Sequence, residues 1–173
     1  GYVRLMLDNK NVASEGIDVN TASQKAGEFL QAKGFLSMKQ TGYIVSNNAV
    51  DFAFAYVQDD YVMYTDLVKV KVALDNGDII GFEAHGYLTN HIDKRKLPNP
   101  IGESQAATML KKGLQVEQVT KSYIPLETGQ DVFCYEFKTK FNDKTFLIYI
   151  NMENMREEKI LMLVESETGA LTI

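Results

Sequence analysis

The side chains able to do chemistry are few and scattered. His85 and His91 are the chain's whole supply of imidazole. A metal site or an acid–base pair would therefore need both, or a carboxylate beside one of them. Asp93 is close to His91 in sequence, but no helical or hairpin register joins the three, and both histidines read as ordinary surface residues. Cys134 is the single cysteine. It alternates with Phe133 and Tyr135 as a small, partly buried strand residue would, and the histidine or positive helix end that activates a thiolate is not near it in sequence. One cysteine also excludes an internal disulfide framework and any multi-cysteine metal site.

The acid pairs Asp59-Asp60 and Glu157-Glu158 could be weighed as calcium ligands or as a glycosidase pair. Neither lies in a spaced acidic loop, and both fall where turns are expected. Asp75-Asn76-Gly77-Asp78 is explained by turn chemistry. The glycines stand singly, with no run that would cradle a phosphate, and no serine sits in a nucleophile elbow. These residues predict a non-enzyme with no catalytic, metal or cofactor site. Tyr56, Tyr61, Tyr64 and Tyr87 remain, and tyrosine is favoured at protein interfaces. The tyrosines are expected chiefly to pack the helix onto the sheet; Tyr61 and Tyr64, outside the strong alternation of their neighbours, are the expected exceptions at an interface.

The elements that position these residues are legible from period. In Val68–Leu74, valines and a leucine alternate with Lys69 and Lys71, the signature of a strand with one buried face. Asn76-Gly77 reverses the chain into Ile79–Ala84, a hairpin that ends at Gly86-Tyr87-Leu88-Thr89. Upstream, apolar residues at three- and four-residue spacing predict a helix over Asn20–Lys33, with Asn20 as cap and Gly34 as terminator. Strands over Thr41–Ser46 and Val50–Gln58 follow, the second presenting Phe52, Phe54 and Tyr56 on one face. Lys94–Pro100 reads as a linker, because its prolines forbid a helix.

Beyond the linker the order recurs. Ile101, Ala106, Leu110 and Leu114 match Ile17, Ala22, Ala26 and Leu30, predicting a second helix over Glu103–Leu114. Phe133, Tyr135 and Phe137 match Phe52, Phe54 and Tyr56. Phe146–Met152 followed by Lys159–Glu165 forms a weaker copy of the valine hairpin, with Met155 where the first has a glycine. Residues 1–12 resemble the closing strands. The expected fold is α+β: 1–12 the closing strand of a truncated upstream repeat, then repeats over 13–97 and 98–173, each a helix packed on an antiparallel β-meander. The orphan strand needs a sheet edge to pair with, in its own chain or in a homodimer.

Composition bounds the partners. The 173 residues are 45% hydrophobic with a net charge of −5, enough for a core and opposed to nucleic-acid binding. No apolar run reaches bilayer length. Membrane contact is expected only through a membrane or targeting segment upstream of the first residue.

The helix pattern Ile17, Ala22, Ala26, Leu30 and the hairpin Val70, Val72, Leu74, Asp75, Gly77, Ile79 resemble the PepSY domain. The blocks Tyr64–Gly77, Gly81–Leu88, Phe133–Phe137 and Phe146–Asn151 are similar to the C-terminal region of the YpeB germination proteins of endospore formers. That resemblance implies tandem PepSY repeats outside the inner membrane of the forespore. It also implies mutual dependence with the spore cortex-lytic enzyme SleB, stabilised and restrained until germination, and it transfers no catalytic residues. The competing expectation is a structural spacer that positions a cell-wall hydrolase without inhibiting it.

Overall fold

The computed structural model describes residues 3–8, 10–166 and 168–172, with Leu171 known by its backbone. Of the opening segment, Gly1, Tyr2 and Asn9 lie outside the described residues, and so do Glu167 and Ile173 near the end. The chain divides into two compact units. Unit 1 gathers Gly1–Val57, Asp66–His91 and Ser166–Ala170, and unit 2 gathers Gln58–Thr65, Ile92–Glu165 and Leu171–Ile173.

Unit 1 is a helix on an antiparallel sheet. Its helix α1 spans Val19–Ala32 and buries Ala22, Ala26 and Leu30. Asp18, not Asn20, caps it: the Asp18 Oδ1 accepts the Thr21 amide at 2.6 Å, satisfying one of the helix's orphan donors. Gly34 ends it at φ +86, with the Phe35 amide closing onto Leu30 O at 2.9 Å.

The strands of unit 1 are β1 (Leu5–Leu7), β2 (Met38–Ser46), β3 (Ala49–Gln58), β4 (Tyr61–Ala73, from Asp66 onward) and β5 (Ile79–Glu83). They lie in the order β1-β5-β4-β3-β2. The expected alternation holds. Val68, Val70, Val72, Phe52 and Phe54 form one buried cluster with Ala22, Ala26 and Leu30. The orphan strand finds its edge within the chain, Leu5 opposite Glu83 and Leu7 opposite Gly81. Beyond β2, Gly169 pairs with Ile44.

A further expectation in unit 1 is corrected. His85-Gly86-Tyr87-Leu88-Thr89 does not continue a strand but forms the short helix α2, His85–Asn90. Phe35 and Tyr56 meet Tyr87 there, so ring packing takes the place of a ladder.

Unit 2 is a four-stranded antiparallel meander: β6 (Gln115–Pro125), β7 (Asp131–Phe141), β8 (Lys144–Asn151) and β9 (Glu157–Ser166). The first residues of β4 run parallel to β6, with Tyr61 opposite Lys121 and Met63 opposite Tyr123. The expected helix over Glu103–Leu114 shrinks to α3, Glu103–Ala107. The chain turns at Lys112-Gly113, where Gly113 takes φ +93. Met109 is 47% exposed, while Ala106 is fully buried. Short helices persist only through a packed face, and here that face is about one turn long.

Candidate functional site

Tyr61 and Tyr64 lie at the start of strand β4, where Tyr61, Val62 and Met63 are all buried and the alternation of Val68–Leu74 has not begun. Tyr61 is 5% exposed. Its ring stands edge-on to Phe133 at 5.5 Å, and the Lys121 ammonium lies 5.3 Å from its centre. Tyr64 is half-buried, and burial, followed by the charge and hydrogen bond of Glu136, pushes its phenol well above the usual tyrosine range. To meet a partner directly Tyr61 would first have to leave its buried position, whereas Tyr64 keeps part of its surface open.

Glu136 is the centre of that interior. It sits on β7 directly opposite Tyr149 of β8 and is 8% exposed. Tyr149 is driven up in the same way as Tyr64, by burial first and by Glu136 second. Both phenols thus sense one buried carboxylate, and because its Oε2 is buried without a hydrogen bond among the described residues, the cost of burying the acid is only partly offset. Beside it, Cys134 packs with Ile124 and Tyr149. Burial and then the Glu158 charge push its thiol up to about 12, the opposite of a nucleophile's tuning. The cluster can fix strand register; it offers no group poised to transfer a proton or attack a carbonyl.

In unit 1 the histidines part company. His91 is no ordinary surface residue. Its Nδ1 lies 3.0 Å from Asp66 Oδ2, and the Asp66 side chain is 1% exposed. The imidazole stacks on Tyr87 at 4.0 Å and meets Tyr56 edge-on at 4.6 Å. His85 remains outside, 3.2 Å from Thr89 Oγ1 and 3.4 Å from Arg4 Nη2. Sequence reading missed both buried carboxylates, yet a signal existed. Asp66 falls in step with Val68, Val70 and Val72 on the core face, and Glu136 lies inside the run Phe133–Phe137. A charge on a core register is a buried, partnered charge.

The remaining acids serve the fold. Asp59 and Asp60 take φ +47 and +71, and Asn47-Asn48 and Asn142-Asp143 do likewise. Left-handed pairs of this kind make two-residue hairpin turns whose twist matches the strands. Asp75, Asn76 and Asp78 all grip the Lys10 ammonium, at 3.0–3.2 Å. Glu158 accepts the Asn151 side-chain amide at 2.8 Å. Among the described residues, no three histidine, cysteine or acidic side chains are grouped to hold a metal ion.

With this geometry in hand, similarity to known proteins is decisive. The family model described as YpeB sporulation, PepSY1 and PepSY2 domains, matches residues 1–98. This chain belongs to the YpeB sporulation family. The resemblance read from its helix and hairpin residues is thereby borne out. The "Sporulation protein YpeB" of Halalkalibacterium halodurans is 36% identical over 171 residues, covering 96% of this chain and 37% of that protein. The Bacillus subtilis protein of the same name is 33% identical, covering 96% of this chain and 38% of its own length. The chain thus spans a little over a third of these YpeB relatives. Among solved structures, the Bacillus megaterium YpeB C-terminal domain superposes with a TM-score of 0.84 at 31% identity, covering 95% of this chain and 73% of that one. The fold is therefore that of the YpeB C-terminal domain: α+β, rich in antiparallel strands and with few helices.

Proposed function

We propose that the chain is part of a non-catalytic sporulation and germination protein that binds, stabilises and restrains the spore cortex-lytic enzyme SleB. The observation that carries this reading is membership of the YpeB family over residues 1–98. The interior chemistry agrees with it. Glu136 is bound to phenols, Asp66 to His91, and Cys134 is raised beyond reactivity, so the titratable groups serve packing and not turnover. The chain acts on the outer side of the forespore inner membrane, as a surface-presenting module.

On this reading the architecture is tandem PepSY repeats over 13–97 and 98–173, preceded by the closing strand 1–12 of another. Two matching hydrogen bonds support it. The Ile17 amide donates to Leu74 O at 2.8 Å and the Ile101 amide to Met152 O at 2.8 Å, so residues matched by sequence also make the matched bond. Pairing through β1 could extend the assembly to a homodimer.

The test is capture of purified SleB by this chain, followed by an assay of cortex hydrolysis with the chain in excess. Saturable binding with a fall in hydrolysis is the expected result. Binding without any change in activity would leave only the spacer role. Release of muropeptides by the chain alone would overturn the non-enzymatic reading.

A further inference from the structure

Lysines gather at one end of the unit 2 meander. The far end carries the β6–β7 turn with Glu127 and Asp131 and the β8–β9 turn with Glu153, Arg156 and Glu157. The lysine end carries Lys111 and Lys112 before β6, and Lys140 and Lys144 around the Asn142-Asp143 turn; its acids are Asp143, Glu117 and Glu165, the last paired with Lys138. Lys111, Lys112, Lys140 and Lys144 are exposed, and none makes an ion pair among the described residues. Register binds them into one patch. Lys140 stands opposite Gln115, Phe141 opposite Lys144, and a Cβ on Gly113, the residue after Lys112, would lie 3.6 Å from the Phe141 ring.

Exposed apolar side chains share that end. Val116 and Phe141 are 46% and 45% exposed. An aromatic beside a turn, with Asp143 as the turn's one acid and four lysines around it that make no ion pair among the described residues, has the chemistry of a membrane interface. Apolar tips enter the acyl boundary while lysines meet anionic headgroups, each side chain adding to the attraction. A soluble polyanion would use the lysines but give Phe141 nothing to enter. We infer that the basic end of unit 2, from Lys111-Lys112 to the Phe141 turn, docks peripherally on a bilayer rich in anionic phospholipid.

The inference is independent of any hydrolase partner and is tested without one. The folded chain is sedimented with phosphatidylcholine vesicles with and without phosphatidylglycerol, at low and high salt. Binding is expected only to the anionic vesicles and should fall with ionic strength. K111E/K112E/K140E/K144E should lose about 100-fold or more in vesicle affinity. Phe141→Ala, with every charge kept, should lose roughly tenfold. All altered side chains are exposed, and circular dichroism checks that each variant keeps the parent fold. Equal binding to neutral vesicles, or undiminished binding by the quadruple variant, overturns the inference. So does binding to heparin with none to anionic vesicles, which would assign the patch to a soluble polyanion.

Discussion

Met155 holds in unit 2 the left-handed turn position that Gly77 holds in unit 1. Their φ angles are +61 and +82. The Gly77 amide donates to Ala73 O at 2.9 Å and the Met155 amide to Asn151 O at 3.0 Å. The preceding asparagines behave alike, Asn76 Oδ1 accepting the Asp78 amide at 3.0 Å and Asn154 Oδ1 the Arg156 amide at 2.9 Å. An L side chain in this region costs about 1–2 kcal/mol, so the asparagine turn, not the glycine, carries the shared geometry.

Met155→Gly should therefore raise stability by about 0.5–1 kcal/mol, while Met155→Val, branched at Cβ, should lower it by about 1–3 kcal/mol. Urea unfolding of the two variants checks this. A stabilised valine variant would show that the strain is absent.

Phe54 is 5% exposed in the cluster that seats α1. Truncation to alanine leaves a cavity the sheet cannot close and should cost about 3–5 kcal/mol. An unchanged thermal midpoint would remove Phe54 from the core.

The pH profile of stability should fall at both ends. The Asn76 amide first and Lys10 second hold the Asp78 carboxyl below its ordinary value of 3.8, and the Thr21 amide does so for Asp18. A depressed folded pKa stabilises above the ordinary value and loses that contribution as pH falls through the folded one. Lys10 is raised above 10.5 by Asp75 and Asp78. Its contribution is complete below 10.5 and is lost as pH climbs through the raised value. Asp18→Asn, which keeps a cap, should flatten the acid limb, and Lys10→Met the alkaline limb. Unfolding midpoints measured across pH decide both.

Removing the Tyr149 hydroxyl takes a donor from the buried Glu136. Tyr149→Phe should cost about 1–3 kcal/mol. It should also loosen the packing around Cys134, whose thiol should react with a disulfide-exchange reagent faster in the variant than in the parent chain. Equal stability and equal labelling would show that the cluster is incidental.

Much of unit 1 was legible because its information is local. The valine alternation, the Ala22, Ala26 and Leu30 stripe and the Asn76-Gly77 turn each fix an element from neighbouring residues. The second helix was misjudged because Ile101, Ala106, Leu110 and Leu114 keep helical spacing without a sheet face long enough to bury them. The surroundings of Tyr61, Tyr64, Asp66 and His91 were not legible, for a different reason. Their environment comes from residues distant in the chain, Phe133 and Glu136 for the tyrosines, and for the Asp66–His91 pair Tyr56 and Tyr87. No local period announces such partners.

The pairing of Gly169 with Ile44, backed by the Val45 amide on Thr168 O at 2.7 Å, has a consequence for synthesis. Ile44 of strand β2 leaves the ribosome well before Gly169, the residue it pairs with. At about 5–20 residues per second the interval is roughly 6–25 s. Throughout it the backbone donors and acceptors on that side of β2, with Ile44 beside them, are a ready template for any extended chain nearby. The nascent protein is thus most exposed to mispairing in the time before Thr168 and Gly169 emerge, and those two residues act as its late-arriving clasp.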